Sequence, residues 1–533
     1  MRHENEADET GEDSSANALS RRSWMKMLGG VAAAPLLADQ ASAALITSDQ
    51  QASQRDFGNV VNMVNAGADP TGEEPINPVL EEVRADDTLL VFPEGRYKMN
   101  TTFRYTGFTN FGIRGPRATI VPTSADEWIG EDERCFLLGV YYNPGQRILF
   151  QGVNFDYTAP NTGVRAVEAY ATDRLLVTNV EIQGEHDTLW DAGGTFNVTD
   201  PRGVGVVSGF RVPDGTAALE DEGGRIQYGR SGITVNRYHK GGIWFRNCEI
   251  KSCWDNGLYA TDSDGFVSIQ GGVYQNNNVS NLRLGGVDSV IQSPKVIVDR
   301  VRFNDLNQRG IRIEQGARVL VNNPDIDLVN PNGHAITVEN EVTSATIANP
   351  NIDIGSSPVQ NSQGIVVSGN TGSVRVVGGR ININGPDNGG NAISIRSTEQ
   401  TTEPVIVENL QITGDRGGEP GGREAIYCDR DGCTFRNLTI RQPGPAYRQG
   451  ITLAGDNCKL VFSDIQTTHH PVINTGTGTR ILSSNLDSYD GYPAARLYPS
   501  SSDVEIVDTG LAHGIRDDGA TNLRLVSNRY PST

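Results

Sequence analysis

Five residues near the middle of the chain combine an aromatic ring, two guanidinium groups and two carboxylates: Tyr259, Arg283, Arg312, Glu314 and Glu339. Arginine pairs bidentately with the carboxylates and sulfates of acidic polysaccharides. Beside a neutralised uronate, an arginine or tyrosine with a lowered pKa can accept the proton that a lyase removes. Two glutamates on successive repeats would stand near the roughly 5–5.5 Å separation of a retaining glycosidase. We therefore predict catalytic roles for all five, in a lyase or a hydrolase; a solvated salt-bridge ladder is the alternative.

Four further residues are candidates for metal and substrate binding. Asp262 and Asp264 share one turn, and carboxylate oxygens are ligands that Ca²⁺ prefers, so Ca²⁺ is the candidate cofactor. Trp190 lies in a stretch without repeats, residues 183–231, and long insertions in repeat proteins border the binding face. We predict that Trp190 forms a wall over bound sugar, and a plain surface insertion is the alternative. His334, in the sequence Asn-Gly-His-Ala, is a second candidate for substrate binding.

A short repeated phrase positions the central residues. It consists of a small residue followed by a strand of alternating residues, and its copies are roughly 24 to 33 residues apart. The copies begin at Gly257, Asn281, Gly310, Ala335, Gly364, Ala392, Ala425 and Gly450. One short strand cannot bury its apolar face alone, so the copies must stack on one another. In such a stack the residue between two apolar positions points outward, which aligns Tyr259, Arg283 and Arg312.

A second phrase repeats out of phase with the first, and its third position is nearly always Asn or Gly. These residues tolerate a left-handed backbone, so two strands should meet there at a sharp corner. The corner residues are Asn179, Asn247, Gly271, Asn323, Asn349, Gly378, Asn409 and Asn437. Arg300 interrupts the series. A unit of about 25 residues with three short strands is one coil of a β-helix, and we predict an all-β, right-handed parallel β-helix solenoid.

The segment before the repeats resembles the opening of a known family. The sequence Asn65-Ala-Gly-Ala-Asp-Pro-Thr-Gly is followed by a short helical pattern at 78–84 and by Phe92-Pro-Glu-Gly-Arg-Tyr. This order resembles the pectate-lyase-like superfamily of right-handed β-helices, although Glu73-Glu-Pro replaces its usual Asp-Asp-Thr. The resemblance implies a small N-terminal cap with a short helix and a groove that faces carbohydrate. The superfamily's catalytic signatures, such as Gly-His-Gly with Arg-Ile-Lys, do not occur, so the resemblance assigns no catalytic residue.

The first residues of the chain resemble a twin-arginine export signal. Arg21 and Arg22 precede an apolar run, and Ala41-Ser-Ala is a cleavage site of small residues. We expect a folded protein that is released outside the cell. The predicted segments are the signal at 1–43, a linker at 44–57, the cap and first coils at 58–146, the β-helix at 147–510 with its insertion at 183–231, and a tail at 511–533.

The net charge of the chain limits the classes of partner that we expect it to bind. The formal net charge is −20, and an acidic folded protein suits high salt, where screening removes self-repulsion. In this respect the chain resembles secreted haloarchaeal proteins. Nucleic-acid binding needs a basic stripe and is not expected, and no stretch after the leader is apolar enough for a membrane anchor. We expect a monomer that acts on an acidic polysaccharide; a non-catalytic extracellular β-helix that binds glycans or cell surfaces is the alternative.

Two of the six cysteines occupy matching positions. Cys433 and Cys458 precede equivalent strands on neighbouring repeats, where the strand spacing is about 4.8 Å. That separation allows a disulfide, and a ladder of buried thiols fits equally well.

Overall fold

The computed structural model describes residues 56–130, 134–188, 193–217, 230–286, 288–299, 308–330, 333–355, 362–385, 389–401, 403–417, 424–445 and 447–530. Over these residues the chain winds into a parallel β-solenoid of about 15 turns with very little helix. The strands of the repeated phrase pair in parallel with the equivalent strands of the neighbouring coils. The predicted fold class is therefore confirmed.

Each central coil contributes one strand to each of three parallel sheets, which we call A, B and C in the order in which the chain enters them. Sheet A contains Phe103–Tyr105, Arg134–Leu138, Gly194–Val198, Ile233–Val235, Asn256–Ala260, Ser280–Leu284, Arg309–Ile313, Ile336–Val338, Ile365–Val367, Ile393–Ile395, Glu424–Cys428, Gln449–Leu453, Val472–Asn474, Ala495–Leu497 and Ile515–Asp517.

Sheets B and C complete each coil. Sheet B contains Asn59–Asn62, Thr88–Val91, Gly242–Arg246, Phe266–Gln270, Asp288–Gln292, Arg318–Asn322, Ser344–Ala348, Ser373–Val377, Val405–Glu408, Thr434–Arg436, Lys459–Val461, Arg480–Leu482, Glu505–Val507 and Arg524–Val526. Sheet C contains Gly95–Met99, Glu249–Lys251, Val273–Gln275, Lys295–Val298, Asp325–Leu328, Asn351–Ile354, Arg380–Ile383, Gln411–Thr413, Thr439–Gln442, Asp464–Thr467, Asn485–Ser488 and Gly510–Leu511. Four long strands bend from one sheet into the next: Asn110–Pro122, Gly145–Asp156, Arg165–Gln183 and Val204–Val212.

The corners between sheets B and C lie at the predicted asparagines and glycines. All eight have a positive φ, between 48° and 68°: Asn179, Asn247, Gly271, Asn323, Asn349, Gly378, Asn409 and Asn437. The left-handed region is costly for a residue with a Cβ, and Asn offsets part of that cost through its short polar side chain. The Asn437 amide, for example, donates a hydrogen bond to Asn409 Oδ1 at 2.7 Å. The coil between the Gly271 and Asn323 corners turns at Ser293, whose φ is 49°, so the prediction that Arg300 marks this corner is wrong. Arg300 itself lies outside the described residues.

Both ends of the described chain belong to the solenoid. The predicted short helix is confirmed as Asn77–Val83, with a proline in its first turn and Leu80 fully buried; a short 3₁₀ helix follows at Ala125–Glu127. Neither of these described helices is long and apolar enough to cross a bilayer. At the other end, residues 515–517 and 524–526 pair in parallel with the preceding coil, so the ladder runs through much of the segment expected to be a tail.

The interior is filled by side chains that point inward from all three sheets. Aliphatic residues dominate the central coils, and the first coils add packed rings such as Phe136 and Phe150, whose centroids are 5.3 Å apart. All six cysteines are buried free thiols. Of the two alternatives for Cys433 and Cys458, the structure therefore contains the thiols.

Candidate functional site

The central outward residues of sheet A form one ladder. Tyr259 is in register with Arg283, Arg283 with Arg312, and Arg312 with Thr337. Their neighbours on each strand are fully buried aliphatic residues. Because side chains alternate between the two faces of a strand, Tyr259, Arg283 and Arg312 point to the outer face. The guanidinium carbon of Arg283 lies 4.9 Å from the centroid of the Tyr259 ring, which is cation–π distance.

A chain of ion pairs continues from this ladder. Arg283 Nη2 lies 2.9 Å from Glu314 Oε1, and Arg312 Nη2 lies 3.0 Å from the same oxygen. Arg312 Nε lies 3.1 Å from Glu339 Oε1, and Arg309 Nε lies 3.7 Å from it. Arg312 therefore bridges two carboxylates of successive coils, and three guanidinium groups face two carboxylates.

The five predicted catalytic residues line a single surface cavity of about 400 Å³. Its lining consists of Tyr259, Thr261, Asp262, Arg283, Gly285, Arg312, Glu314, Gln315, Glu339 and Asn340. Gly285 helps to keep this space open, because a Cβ there would stand 2.8 Å from the Cβ of Glu314. The cavity is polar and open at the surface, as a binding site for a hydrophilic chain must be.

Local electrostatics shift the pKa values of Arg283 and Arg309 in opposite directions. Burial opposes the charge of Arg283, but the hydrogen bond and charge of Glu314 outweigh it and raise the pKa of Arg283 above its usual value. Burial, reinforced by the positive charge of Arg312, lowers the pKa of Arg309. Arg283 is thus stabilised as a cation, which suits it to hold a carboxylate.

Sequence reasoning missed two residues of this site. Arg309 begins the strand that carries Arg312, and Asp255 lies just before the strand that carries Tyr259. Asp255 accepts hydrogen bonds from Ser231 Oγ at 3.3 Å and from the Asn256 amide at 2.8 Å. Burial raises its pKa, although the charges of Arg283 and Arg312 act in the opposite direction. The available signal for both was their position, within four residues of an outward ladder residue.

The other predicted site residues lie at different distances from the cavity. Asp262 lines it, whereas Asp264 is exposed further along the same turn. His334 lies at the edge of the cluster, where burial and then the charge of Arg309 lower its pKa to about 4. Its Nδ1 accepts a hydrogen bond from the Gln363 backbone at 3.2 Å. Trp190 lies outside the described residues.

Calcium binding by Asp262 and Asp264 stays a prediction. Within the described ranges, no group of three or more His, Cys, Asp or Glu side chains is arranged to hold a metal ion. The two carboxylates would have to be completed by backbone oxygens and water.

The outer face of sheet A continues toward the N-terminus with polar residues. Thr195 and Thr234, which are in register, share a hydrogen bond of 2.7 Å between their hydroxyls. One coil earlier, Glu168 accepts a hydrogen bond from Arg134 Nε at 2.6 Å and another from the Tyr170 hydroxyl at 3.0 Å. The outward polar ladder of sheet A thus continues beyond the cavity toward the N-terminus, where Thr195 and Glu168 are buried.

Comparison with known proteins agrees with this architecture. Residues 231–412 match the family model described as the right handed beta helix region. The chain is a right-handed parallel β-helix. The search of curated proteins found no match.

Several solved structures are similar to this chain at low identity. The Streptococcus pneumoniae surface protein and adhesin PfbA is 11% identical, covers 88% of this chain and 99% of its own, and has a TM-score of 0.39. The A-module of the Azotobacter vinelandii mannuronan C-5 epimerase AlgE6 is 10% identical, with 89% and 99% covered and a TM-score of 0.26. The Yersinia enterocolitica family 28 exopolygalacturonase is 10% identical, with 88% and 78% covered and a TM-score of 0.28. At these identities and scores, the likenesses carry no conclusion about activity.

Proposed function

We propose that the protein binds an acidic polysaccharide in the sheet A cavity and cleaves it by β-elimination, as a polysaccharide lyase. The observation that supports this most strongly is the alignment of Arg283 and Arg312 on successive coils along the wall of an open cavity. Guanidinium groups match carboxylates and sulfates in geometry, so this pair can hold the acidic groups of a bound chain. The ladder runs along the axis, so an extended chain can contact successive coils.

In the proposed reaction Arg283 and Arg312 neutralise the uronate carboxylate. The neighbouring carbon then loses its proton, a carbon–carbon double bond forms, and the adjacent bond to the glycosidic oxygen breaks while that oxygen takes up a proton. Tyr259 is the candidate for proton transfer, because it lines the cavity with a hydroxyl outside the ion-pair chain. As the phenolate it accepts the proton from the carbon, and as the phenol it then donates that proton to the leaving glycosidic oxygen. A positive charge beside the reacting carbon stabilises the anion that develops there.

The geometry favours this reaction over hydrolysis. A retaining glycosidase needs one carboxyl group that donates a proton and one that attacks as a nucleophile. Here Glu314 and Glu339 are both bound by Arg312, at 3.0 and 3.1 Å. The shared guanidinium gives the two carboxylates similar surroundings, whereas a glycosidase needs surroundings that differ.

A screen of purified protein tests the proposal. Pectin, alginate, ulvan and glycosaminoglycans are incubated with the protein in high salt, and the ultraviolet absorbance of unsaturated products is followed. We expect one of these acidic polymers to yield product. New reducing ends without ultraviolet absorbance would identify a hydrolase instead, and failure to bind or cleave any acidic polymer would reject the proposal.

A non-catalytic glycan-binding role is the second candidate. It is supported by the ion pairs themselves, because Arg283, Arg312, Glu314 and Glu339 are already ion-paired with one another in the free protein. Such a ladder can bind acidic groups without a proton-transfer step. Binding of an acidic polymer with no product after prolonged incubation would favour this role.

In either case we propose export by the twin-arginine route and action outside the cell.

A further inference from the structure

A cluster of tyrosines lies on the N-terminal side of the cavity. Tyr141 and Tyr238 stack with centroids 4.1 Å apart and an interplanar angle of 8°, and Tyr142 packs edge-on against Tyr141 at 4.8 Å. Tyr141 is 50% exposed and Tyr142 is 65% exposed. Aromatic rings that remain exposed as a group mark interaction surfaces. We call Tyr141, Tyr142 and Tyr238 the tyrosine arch.

The arch is built from coils that are not neighbours. Tyr141 follows the strand Arg134–Leu138 and Tyr238 follows Ile233–Val235, which lies three strands further along sheet A. At about 4.8 Å per coil, the ends of these strands are roughly 14 Å apart. The turn that carries Tyr141 must therefore reach across the intervening coils to place its ring on Tyr238.

Hydrogen bonds hold the turn that carries Tyr141 and Tyr142 in place. Val140 and Asn143 exchange backbone hydrogen bonds of 3.3 and 3.0 Å, which close a tight turn around the two tyrosines. Arg104 Nη2 donates to the Tyr142 hydroxyl at 2.8 Å. On the far side, the buried Tyr170 ring meets Tyr238 edge-on at 6.4 Å. These contacts give the exposed rings a defined orientation.

The arch and the cavity occupy neighbouring coils at the same edge of sheet A. The turn with Tyr238 is bonded to the next turn along, because Gly265 donates its backbone N–H to the His239 carbonyl at 3.1 Å. That next turn carries Asp262, which lines the cavity. A chain that leaves the cavity toward the N-terminus along sheet A therefore meets the arch.

The arch also repeats a chemical feature of the cavity. The guanidinium carbon of Arg237 lies 5.3 Å from the centroid of Tyr238, as Arg283 lies 4.9 Å from that of Tyr259. Arg237 is exposed. Both places thus combine aromatic surface, which can contact the apolar part of a sugar, with a guanidinium group for its acidic substituent.

We propose that the tyrosine arch, together with Arg237, is a second subsite for the same acidic polysaccharide. In this subsite the exposed rings of Tyr141 and Tyr142 contact sugar units several positions from the reacting one, Tyr238 supports Tyr141, and Arg237 pairs with a carboxylate or sulfate. The inference rests on the proposed function, since it assumes that an acidic glycan occupies the cavity. It adds a length requirement, because only a chain long enough to span from Arg312 to Tyr141 uses both subsites.

Calorimetric titration with oligosaccharides of two lengths tests the subsite. A trisaccharide and a decasaccharide of whichever acidic polymer the wild-type protein binds are titrated into the wild type, Tyr141→Ala/Tyr238→Ala and Arg237→Ser. Loss of one aromatic contact corresponds to roughly a fivefold loss of affinity, so the double variant should bind the decasaccharide at least about fivefold more weakly. Its affinity for the trisaccharide should not change. Arg237 is exposed and its Nη2 donates to the Tyr238 hydroxyl at 3.4 Å, and Arg237→Ser should also weaken only decasaccharide binding.

Tyr489→Ala is the matched control. Tyr489 is 43% exposed and follows a strand of sheet C, whereas the cavity lies on sheet A. Equal decasaccharide affinities for the wild type, the double variant and Arg237→Ser would overturn the subsite and leave the proposed function intact. If the wild type binds no acidic oligosaccharide of either length, the proposed function fails and the subsite fails with it.

Discussion

Replacement of Arg312 by alanine should weaken ligand binding strongly while lowering the free energy of unfolding only slightly. The Arg312 side chain is 22% exposed and lies 3.0 Å from Glu314 and 3.1 Å from Glu339. Each glutamate keeps another arginine, Arg283 at 2.9 Å and Arg309 at 3.7 Å. Partly exposed pairs contribute about 0.2–1 kcal/mol each, so the free energy of unfolding should fall by only about 1 kcal/mol. A lost charged hydrogen bond to a bound uronate costs about 1.5–3 kcal/mol, which is roughly a 10- to 100-fold loss of affinity.

The control for this experiment is Arg318→Ala. Arg318 is 42% exposed, belongs to the same coil, and pairs with Asp288 on sheet B at 2.8 and 3.0 Å. Affinity is measured by calorimetry, stability by thermal unfolding, and turnover by the absorbance of unsaturated product. We expect weakened binding and turnover in Arg312→Ala and wild-type values in Arg318→Ala. If the two variants bind and turn over substrate equally well, the ligand is not held by the sheet A ladder.

Three further predictions concern the fold, pH and export. Asn437→Ala should lower the free energy of unfolding by about 1–2 kcal/mol, because φ at this corner is 53°; Asn437→Gly should lower it less, and equal losses in chemical denaturation would contradict the corner interpretation. Burial, followed by the charges of Arg230 and Arg165, lowers the pKa of His186 to about 3, so the unfolded state binds the proton first and stability should fall as pH drops from about 6.5 toward 3. Unfolding across this range should be less pH-dependent in His186→Phe, and an unchanged pH profile would exclude His186 as the cause. Replacing Arg21 and Arg22 by lysine should retain the precursor inside the cell, and normal secretion by cell fractionation would disprove the export signal.

The repeats made the fold predictable from residues alone. A parallel solenoid repeats one local solution, so the need for a left-handed corner recurs along the chain. It selects Asn or Gly at most corners, such as Asn437, whereas Ser293 takes the same positive φ in one coil. The alternation within the repeated phrase determines which side chains point outward. Since successive strands pair in register, those two rules were enough to align Tyr259, Arg283 and Arg312.

The arrangement of the site was decided by tertiary structure, because contacts between coils depend on the lengths and paths of irregular turns. Nothing in the repeat assigns Glu314 to both Arg283 and Arg312, or places Arg309 and the part-buried Asp255 beside them. The tyrosine arch illustrates the same limit, since Tyr141 reaches Tyr238 across coils through a turn outside the repeat pattern. The sequence by itself determined the solenoid, its corners and its outward ladder through period and propensity. Tertiary structure decided which charges pair, which carboxylate is desolvated and which rings meet, because these depend on distances between segments remote in sequence.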